Sequence, residues 1–305
     1  MKITRRKLLF KGALAAGSGL ALGQILALVR TRTAEAATAK RDPKDIPSVL
    51  YDLTQCAGCR FCEYACQINK GLTPDKALLT FRKPDPESAP PQVAWVIRRQ
   101  QCMHCIDAGC ASVCPVAAMY KTEEGPVIYR DERCLGCRYC MNACPFGVPA
   151  FDWNSGLLDA ALIRKCDFCY DRQKEGKNPA CIDACPAKAV IFGKRSEMLA
   201  EAKRRIAEHP DRYVNHVYGE TEAGGTSFLV ISSVPFEQLG MPNPGDSPLP
   251  PLSEKVMGIV PPFAVGWMAT LIGITSIVKF RQRRMEENSE AKAKHEQPSG
   301  KGDAR

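Results

Sequence analysis

The amino-acid sequence predicts an α+β protein whose body consists of two small cysteine-rich modules, preceded by an export signal and followed by one transmembrane helix. Three observations predict this arrangement: sixteen cysteines fall into four spaced groups, an arginine pair precedes an apolar N-terminal run, and an uncharged segment lies near the C-terminus. With 305 residues, 45% hydrophobic and 25% charged, the chain has the composition of a folded protein of one or two domains.

The first 36 residues have the features of a twin-arginine export signal. The pair Arg5-Arg6 precedes an apolar run over residues 12–29, and an A-x-A sequence ends at Ala36. The alternative is a transmembrane helix beginning at Leu8, but the run is short, weakly hydrophobic and followed by arginines. We therefore expect residues 1–36 to be a signal peptide that is cleaved after Ala36. The twin-arginine route exports proteins that have already folded.

Breaker-rich stretches divide the chain after the signal. We expect residues 37–50 to form an extended lead-in, residues 51–234 a cysteine-rich domain, and residues 235–255, which are rich in proline, a stiff tether. Within the domain, strands are expected at 93–97, 127–129, 189–192 and 228–232, and a helix capped by Ser196 is expected to run to about Glu208.

The cysteines of the domain form an internal repeat. The first and third groups follow C-x2-C-x2-C-x3-C, the second follows C-x2-C-x4-C-x3-C, and the fourth follows C-x2-C-x11-C-x3-C. Proline follows the last cysteine of every group except the first, where Gln67 takes its place. The four quartets are Cys56, Cys59, Cys62 and Cys66; Cys102, Cys105, Cys110 and Cys114; Cys134, Cys137, Cys140 and Cys144; and Cys166, Cys169, Cys181 and Cys185.

This spacing is the ligand pattern of bacterial [4Fe–4S] ferredoxins, in which three cysteines wrap one cluster and the fourth ligates the other cluster of a pair. Four quartets therefore predict four [4Fe–4S] clusters in two ferredoxin-like modules. Disulfides and structural zinc are the alternatives. Three thiols within seven residues cannot readily bridge one another, and zinc favours two separated C-x2-C pairs, which only the fourth quartet resembles.

Several basic, aromatic and histidine residues lie near the quartets in the sequence. We expect His104 to be a spectator, because four cysteines already saturate its site. Arg60, Arg138 and Lys165 are expected at solvated surface positions, and Trp95, Phe146, Phe168 and Tyr170 in the core. The chain has no glycine-rich nucleotide loop, nucleophile elbow or catalytic dyad outside the cysteine groups, so we expect no catalytic residues.

The segment after the tether is expected to cross a membrane. Residues 256–278 contain 23 residues without a charged side chain, which at ~1.5 Å per residue span a hydrocarbon core of ~30 Å; Pro261-Pro262 could kink the helix. Basic residues follow the segment, so the positive-inside rule predicts a cytoplasmic tail at 279–305 and a body on the periplasmic side. A buried core helix, the alternative, rarely ends in such a basic cluster.

The net charge of +9 agrees with this topology. Residues 1–36 carry seven basic residues against one acidic, and residues 279–305 carry eight against five, whereas residues 37–278 carry 27 of each. Because the excess positive charge lies at the two ends, it reports targeting and membrane orientation. We therefore expect no nucleic-acid partner.

Four longer stretches carry a resemblance to a known family. They are CMHCIDAGCASVCPVAAMYK, CLGCRYCMNACPFGVPAFDW, CPAKAVIFGKRSEMLAEAKRRI and HVYGETEAGGTSFLVISSVPFEQLGMP, and with the cysteine order they cover most of residues 50–242. The sequence resembles the four-cluster ferredoxin-type electron-transfer subunits of membrane oxidoreductases, and within them the HybA-type iron–sulfur subunits of membrane-bound uptake [NiFe] hydrogenases.

The resemblance implies which cysteines share a cluster, because in the family the first quartet pairs with the fourth and the second with the third. It implies one cluster on Cys56, Cys59, Cys62 and Cys185, one on Cys66, Cys166, Cys169 and Cys181, one on Cys102, Cys105, Cys110 and Cys144, and one on Cys114, Cys134, Cys137 and Cys140. Gln67 and a short stretch between the first two quartets are departures from the hydrogenase pattern.

The resemblance also implies partners. It implies a non-catalytic subunit that carries electrons between the hydrogenase, which consists of a small and a large subunit, and an integral membrane subunit that reacts with quinone. The C-terminal helix would anchor this subunit in the membrane. The alternative is the iron–sulfur subunit of formate dehydrogenase or of another molybdenum oxidoreductase. An export signal on the chain itself favours the hydrogenase type, because the formate dehydrogenase counterpart typically travels with its partner's signal.

Overall fold

The computed structural model describes residues 45–84, 96–152 and 163–295. The expected signal at 1–36, most of the expected strand at 93–97 and the end of the tail lie outside these residues. The chain divides into two compact units after Ser253. The first is a mixed helix-and-strand body, and the second consists of the greater part of one long helix.

The body contains nine short strands and six α-helices among the described residues, together with several single-turn 3-10 helices. The strands are β1 Pro47–Asp52, β2 Thr80–Arg82, β3 Arg98–Gln100, β4 Met119–Lys121, β5 Val127–Tyr129, β6 Ala150–Phe151, β7 Ile163–Arg164, β8 Val190–Lys194 and β9 Phe228–Ile231. The helices are α1 Phe61–Lys70, α2 Gly109–Ser112, α3 Tyr139–Asn142, α4 Tyr170–Lys174, α5 Ala180–Asp183 and α6 Arg195–Glu208.

A three-stranded sheet in the order β8-β1-β9 forms the centre of the body. Strand β1 pairs antiparallel with β8 and parallel with β9, so that Leu50 lies opposite both Ile191 and Leu229. Val49, Leu50 and Tyr51 are all buried, as expected for a strand covered on both faces. The predicted lead-in at 37–50 therefore needs correction, because its last residues belong to the central strand.

The two faces of this sheet pack on different layers. Leu50 packs with Ala202 and Ile206 of α6, whereas Val49 and Tyr51 pack with Phe146 and Phe168 beside the cysteine loops. This division follows from the two-residue period of a strand, which sends alternate side chains to opposite faces. The sheet is thus a platform with the regular helix α6 on one side and the cysteine-rich layer on the other.

The remaining strands form two-stranded antiparallel ribbons, β2–β3, β4–β5 and β6–β7. The expected strands at 127–129, 189–192 and 228–232 are confirmed as β5, β8 and β9 within one or two residues. Helix α6 begins at Arg195 rather than after Ser196, with Lys194 as its N-cap. The Lys194 backbone N–H donates to the Glu197 carboxylate (3.2 Å), which completes the first turn.

The first part of the predicted tether at 235–255 packs against the body. Phe236 and Leu239 are almost fully buried and belong to the same core cluster as Tyr51 and Phe146. The Tyr218 hydroxyl donates to the Pro242 carbonyl in this segment. Apolar side chains among the prolines therefore anchor the start of the segment, which the proline content alone did not indicate.

The long C-terminal helix α7 runs from Pro250 to His295, so the prolines at 261 and 262 lie within it. Its segment Pro262–Ser289 is long and apolar enough to cross a membrane, and it is the one such helix among the described residues. The large apolar side chains of this segment, such as Phe263, Trp267 and Ile272, are exposed. Exposed apolar side chains over this length suit a lipid environment.

Two isoleucines in the last turns of helices test the packing of α6 on the sheet. Ile206 of α6 is 7% exposed and Ile68 of α1 is 64% exposed. We expect Ile206→Ala to destabilise the body by about 2–5 kcal/mol, because it leaves a cavity against the sheet. The matched Ile68→Ala change should cost no more than about 0.5 kcal/mol. Thermal unfolding of the purified protein measures both, and equal shifts in melting temperature would contradict the packing described.

Candidate iron–sulfur sites

All four quartets share one backbone feature. The residue directly before the second cysteine has a left-handed conformation, with φ of 67° at Gly58, 48° at His104, 68° at Gly136 and 62° at Phe168. This conformation curls the loop and turns backbone N–H groups towards the sulfur of the first cysteine. The Gly136 N–H donates to Cys134 Sγ (3.4 Å), and the Phe168 N–H donates to Cys166 Sγ (3.3 Å).

The ends of the quartets differ in one respect. Proline directly follows Cys114, Cys144 and Cys185. In each case the residue three positions after the cysteine has a left-handed conformation, and its backbone N–H donates to the carbonyl of that cysteine (3.2 Å). Because proline cannot continue a helix, α2, α3 and α5 have only four residues each. In the first quartet Gln67 allows α1 to continue to Lys70, where the side chain pairs with Asp167 (2.5 Å).

Three cavities of the body are each lined by four cysteines taken from two quartets. Site A is lined by Cys56, Cys59, Cys62 and Cys185, site B by Cys66, Cys166, Cys169 and Cys181, and site D by Cys114, Cys134, Cys137 and Cys140. A further group, site C, comprises Cys102, Cys105, Cys110 and Cys144. Its members are close enough for the charges of Cys102 and Cys144 to raise the pKa of the Cys105 and Cys110 thiols, in addition to the larger effect of burial.

Strand pairing explains how site A assembles. Strand β1 leads into Cys56, and Cys185 precedes β8. Because the two strands are antiparallel, the end of β1 lies beside the start of β8, where the Asp52 N–H donates to the Ala189 carbonyl (2.8 Å). The sheet therefore brings together cysteines from opposite ends of the domain.

The donor chemistry of the four sites fits a [4Fe–4S] cluster. All sixteen cysteines are free thiols, which does not favour the disulfide alternative. In the described part of the chain, no three histidine, cysteine or acidic side chains converge closely enough to hold a single metal ion, which does not favour zinc. Four thiols around a mostly apolar cavity suit a larger group that takes one thiolate at each corner.

Burial raises the pKa of several of these thiols above the ordinary value. It raises the pKa of Cys62 and Cys140 to about 11 and that of Cys66 and Cys105 to about 12. Because iron binds the thiolate, cluster binding must displace the thiol protons and compensate the burial of negative charge.

Buried basic side chains lie close to the cysteines. Lys165, expected at a solvated surface, is buried and donates to the carbonyls of Val127 (2.5 Å) and Cys166 (2.7 Å), so that expectation is wrong. Lys121 donates to the Cys105 carbonyl (2.6 Å), and burial lowers its pKa to about 8. Arg60 and Arg138 are exposed, as expected.

His104 lies at the junction of the two cysteine-rich halves. It is fully buried, stacks on Phe168 (4.7 Å between ring centroids), and its Nδ1 accepts a hydrogen bond from the Val127 N–H (3.1 Å). Burial lowers its pKa well below the ordinary value, with help from the charges of Lys165 and Lys121, so the ring is neutral and its proton is on Nε2. Phe146 and Phe168 are in the core as expected, Tyr170 is only partly buried, and Trp95 lies outside the described residues.

Arg99 in β3 is a residue that sequence reasoning missed. It is 6% exposed and lines site A, and its guanidinium lies over the rings of Tyr51 (5.4 Å) and Phe228 (5.5 Å). Its position three residues before Cys102 was the available signal, but the expected strand at 93–97 ended before it. Burial of its side chain depends on β1 and β9, which are distant in the sequence.

Comparisons with known proteins show the family of the chain. The profile of the 4Fe-4S dicluster domain matches residues 93–195. A protein of Nitratidesulfovibrio vulgaris (strain Hildenborough) is 40% identical over 278 residues, which cover 85% of this chain and 75% of that protein. The hydrogenase-2 operon protein HybA of Escherichia coli O157:H7 is 33% identical over 307 residues, which cover 84% of this chain and 92% of HybA. The chain belongs to the HybA family of iron–sulfur proteins.

Relatives of this family include the iron–sulfur subunit of the nitrate-inducible formate dehydrogenase of Escherichia coli K12. It is 31% identical over 255 residues, which cover 77% of this chain and 85% of that subunit. The chain is therefore a [4Fe–4S] electron-transfer subunit of an oxidoreductase and not a catalytic subunit. This confirms the family and the type of function that the cysteine spacing and the resemblance predicted.

Gln67 provides a test of why the first quartet differs from the others. Gln67→Pro should end α1 near Cys66, separate Lys70 from Asp167 and cost about 3 kcal/mol, because proline in a helix interior removes a hydrogen bond and clashes with the preceding turn. The iron content should stay unchanged, because the other quartets carry proline at this position. Gln67→Ala, the control, should shift the melting temperature little. Iron loss in Gln67→Pro would show that the longer helix is needed for ligation.

Proposed function

We propose that this subunit holds four [4Fe–4S] clusters in two ferredoxin-like modules and carries electrons between a periplasmic [NiFe] hydrogenase and a membrane subunit that reacts with quinone. The observation that carries the proposal is the lining of the cavities, in which cysteines of two quartets meet four at a time. When bound, such clusters accept and release one electron each.

The proposed ligands are the cysteines of sites A, B, C and D. Sites A and B each combine three cysteines of one quartet with one cysteine of the other, from the first and fourth quartets. Site D combines Cys114 with three cysteines of the third quartet, and site C is the reciprocal set. This crossed arrangement is the pairing that the family resemblance implies.

The positions of the cysteines support a path in the order A, B, C, D. Cys62 of site A and Cys66 of site B lie one turn apart on α1. Cys102 of site C is close enough to Cys166 of site B for its charge to raise the pKa of that thiol, next to the larger effects of burial and Asp167. Sites C and D are joined by α2 and α3, which contact each other and carry Cys110 and Cys140.

The protein's own residues hold the sulfurs in place and set their surroundings. A left-handed residue precedes the second cysteine of each quartet, and N–H···S hydrogen bonds hold Cys134 and Cys166. The sheet and its aromatic layer pack against the inner cysteines of the sites, whereas Cys59 and Cys137 are exposed. Hydrogen bonds to sulfur and solvent exclusion are the means by which proteins adjust cluster potentials.

We further propose export by the twin-arginine route and anchoring by the C-terminal helix. The Arg5-Arg6 signal at 1–36 supports export of a folded body with its clusters in place. The apolar segment Pro262–Ser289 supports the anchor, and the basic residues at 279–284 support a cytoplasmic tail with the body in the periplasm. The proposed segments are the signal at 1–36, the lead-in at 37–50, the cluster domain at 51–234, the tether at 235–255, the transmembrane helix at 256–278 and the tail at 279–305. Strand β1 and the segment around Phe236 pack within the body, so the domain includes the end of the lead-in and the start of the tether.

The crossed ligation is tested by iron analysis of paired variants in the purified complex. Cys56→Ala and Cys185→Ala, in different quartets but one site, should each remove one cluster, about four irons, and the double variant should lose no more. Cys56→Ala with Cys66→Ala, in one quartet but different sites, should lose about eight irons.

These double variants are matched, because each removes two cysteines. If the Cys56→Ala/Cys185→Ala and Cys56→Ala/Cys66→Ala variants lose the same amount of iron, the assignment of cysteines from two quartets to one cluster is wrong. If no variant loses iron, the cysteines are not cluster ligands at all.

The electron source is tested by metal analysis of the detergent-extracted native complex. We expect nickel together with iron, because the chain resembles the iron–sulfur subunits of [NiFe] hydrogenases and its alignment with the hydrogenase-2 operon protein HybA covers 92% of HybA. Molybdenum or tungsten in place of nickel would keep the relay but assign it to formate or a similar donor. Zinc without iron would overturn the proposal.

A further inference from the structure

The side chain of Arg99 is a buried positive charge with an incomplete set of partners. Its Nη2 donates to Gln101 Oε1 (2.6 Å), but its Nε and Nη1 have no hydrogen-bond acceptor among the described residues. No ion pair of the described residues includes Arg99. A buried, unpaired charge is costly, so a charged group of opposite sign is expected beside it in the loaded protein.

The surroundings of Arg99 identify where this opposite charge lies. Arg99 lines site A together with its four cysteines, and its hydrogen-bond partner Gln101 lines site B. Burial lowers the pKa of Arg99, but the neighbouring Cys181 of site B and Cys62 of site A raise it by more. The guanidinium therefore lies between sites A and B, and it also lies over the rings of Tyr51 and Phe228.

We propose that Arg99 sets the reduction potentials of the clusters at sites A and B. This inference rests on the proposed function, because it requires clusters at those sites. A cluster bound by four thiolates is negative, and reduction adds one more negative charge. A fixed positive charge in a medium of low dielectric constant stabilises the reduced form more than the oxidised form and so raises the potential. Arginine suits this role because it stays charged when buried.

Arg60 provides a matched control within the same cavity. Its side chain also lines site A, but it is 64% exposed and pairs with Glu63 (2.6 Å). Water, salt and the paired carboxylate screen this charge, so it should act weakly on the cluster. The pair separates the effect of a buried charge from that of any basic residue near the cysteines.

The experiment is a redox titration of the purified complex, followed by electron paramagnetic resonance of the reduced clusters. For Arg99→Gln, we expect the ratio of reduced to oxidised cluster at a fixed solution potential to fall at least tenfold for one or both of the clusters at sites A and B. That change is about 59 mV in a one-electron midpoint. Arg99→Lys and Arg60→Gln should both stay within about threefold of the unsubstituted complex.

The proposal is wrong if the Arg99→Gln complex keeps all its iron and shows unchanged midpoint potentials for the clusters at sites A and B. It is also wrong if Arg60→Gln shifts these potentials as much as Arg99→Gln does. Arg99→Met, which keeps apolar contact with Tyr51 and Phe228, is the second charge-free variant should Arg99→Gln not assemble. If both charge-free variants lose iron or fail to fold while Arg99→Lys does not, Arg99 has a structural role and the proposal fails. Absence of iron from sites A and B in the unsubstituted complex would instead refute the proposed function.

Discussion

The structure depends on one constraint, which is that four thiols from two distant segments of the chain must meet at each site. A tight loop can present three cysteines on one side, but the fourth is carried away by the following turn. The quartets therefore serve one another in pairs, and each pair ties two segments together. The very short helices, the prolines after three quartets and the left-handed residue before each second cysteine all follow from this geometry.

The central sheet supplies what the loops lack. Cys56 and Cys185 lie at opposite ends of the domain, and the antiparallel pairing of β1 with β8 brings them to one cavity. The same strands present Val49 and Tyr51 to the aromatic layer beneath the cysteine loops, while Leu50 faces α6. The body thus gains rigidity from a sheet that is covered on both faces by apolar side chains, and rigidity keeps the distances between redox sites constant.

The electrostatics of the body are organised around negative charge that arrives with the clusters. Burial raises the pKa of Cys62, Cys66 and Cys105, and binding of iron to their thiolates would place negative charge in these buried positions. Lys165, Lys121 and Arg99 are held close to the cysteines, either by backbone carbonyls or over aromatic rings. Positive charge at these positions would offset the negative charge of clusters bound at the sites, most strongly at Arg99 and Lys165, which are buried.

The sequence by itself determined the cofactor type, the family, the candidate ligands and the apolar C-terminal segment, because ligand spacing, motif order and composition are local properties. It also located β5, β8, β9 and α6 within one or two residues. Only the tertiary structure decided that β1 is the central strand, that Phe236 and Leu239 join the core, and that Lys165 and Arg99 are buried. Burial and sheet order depend on contacts between residues far apart in the chain, and no local pattern around these positions records those contacts.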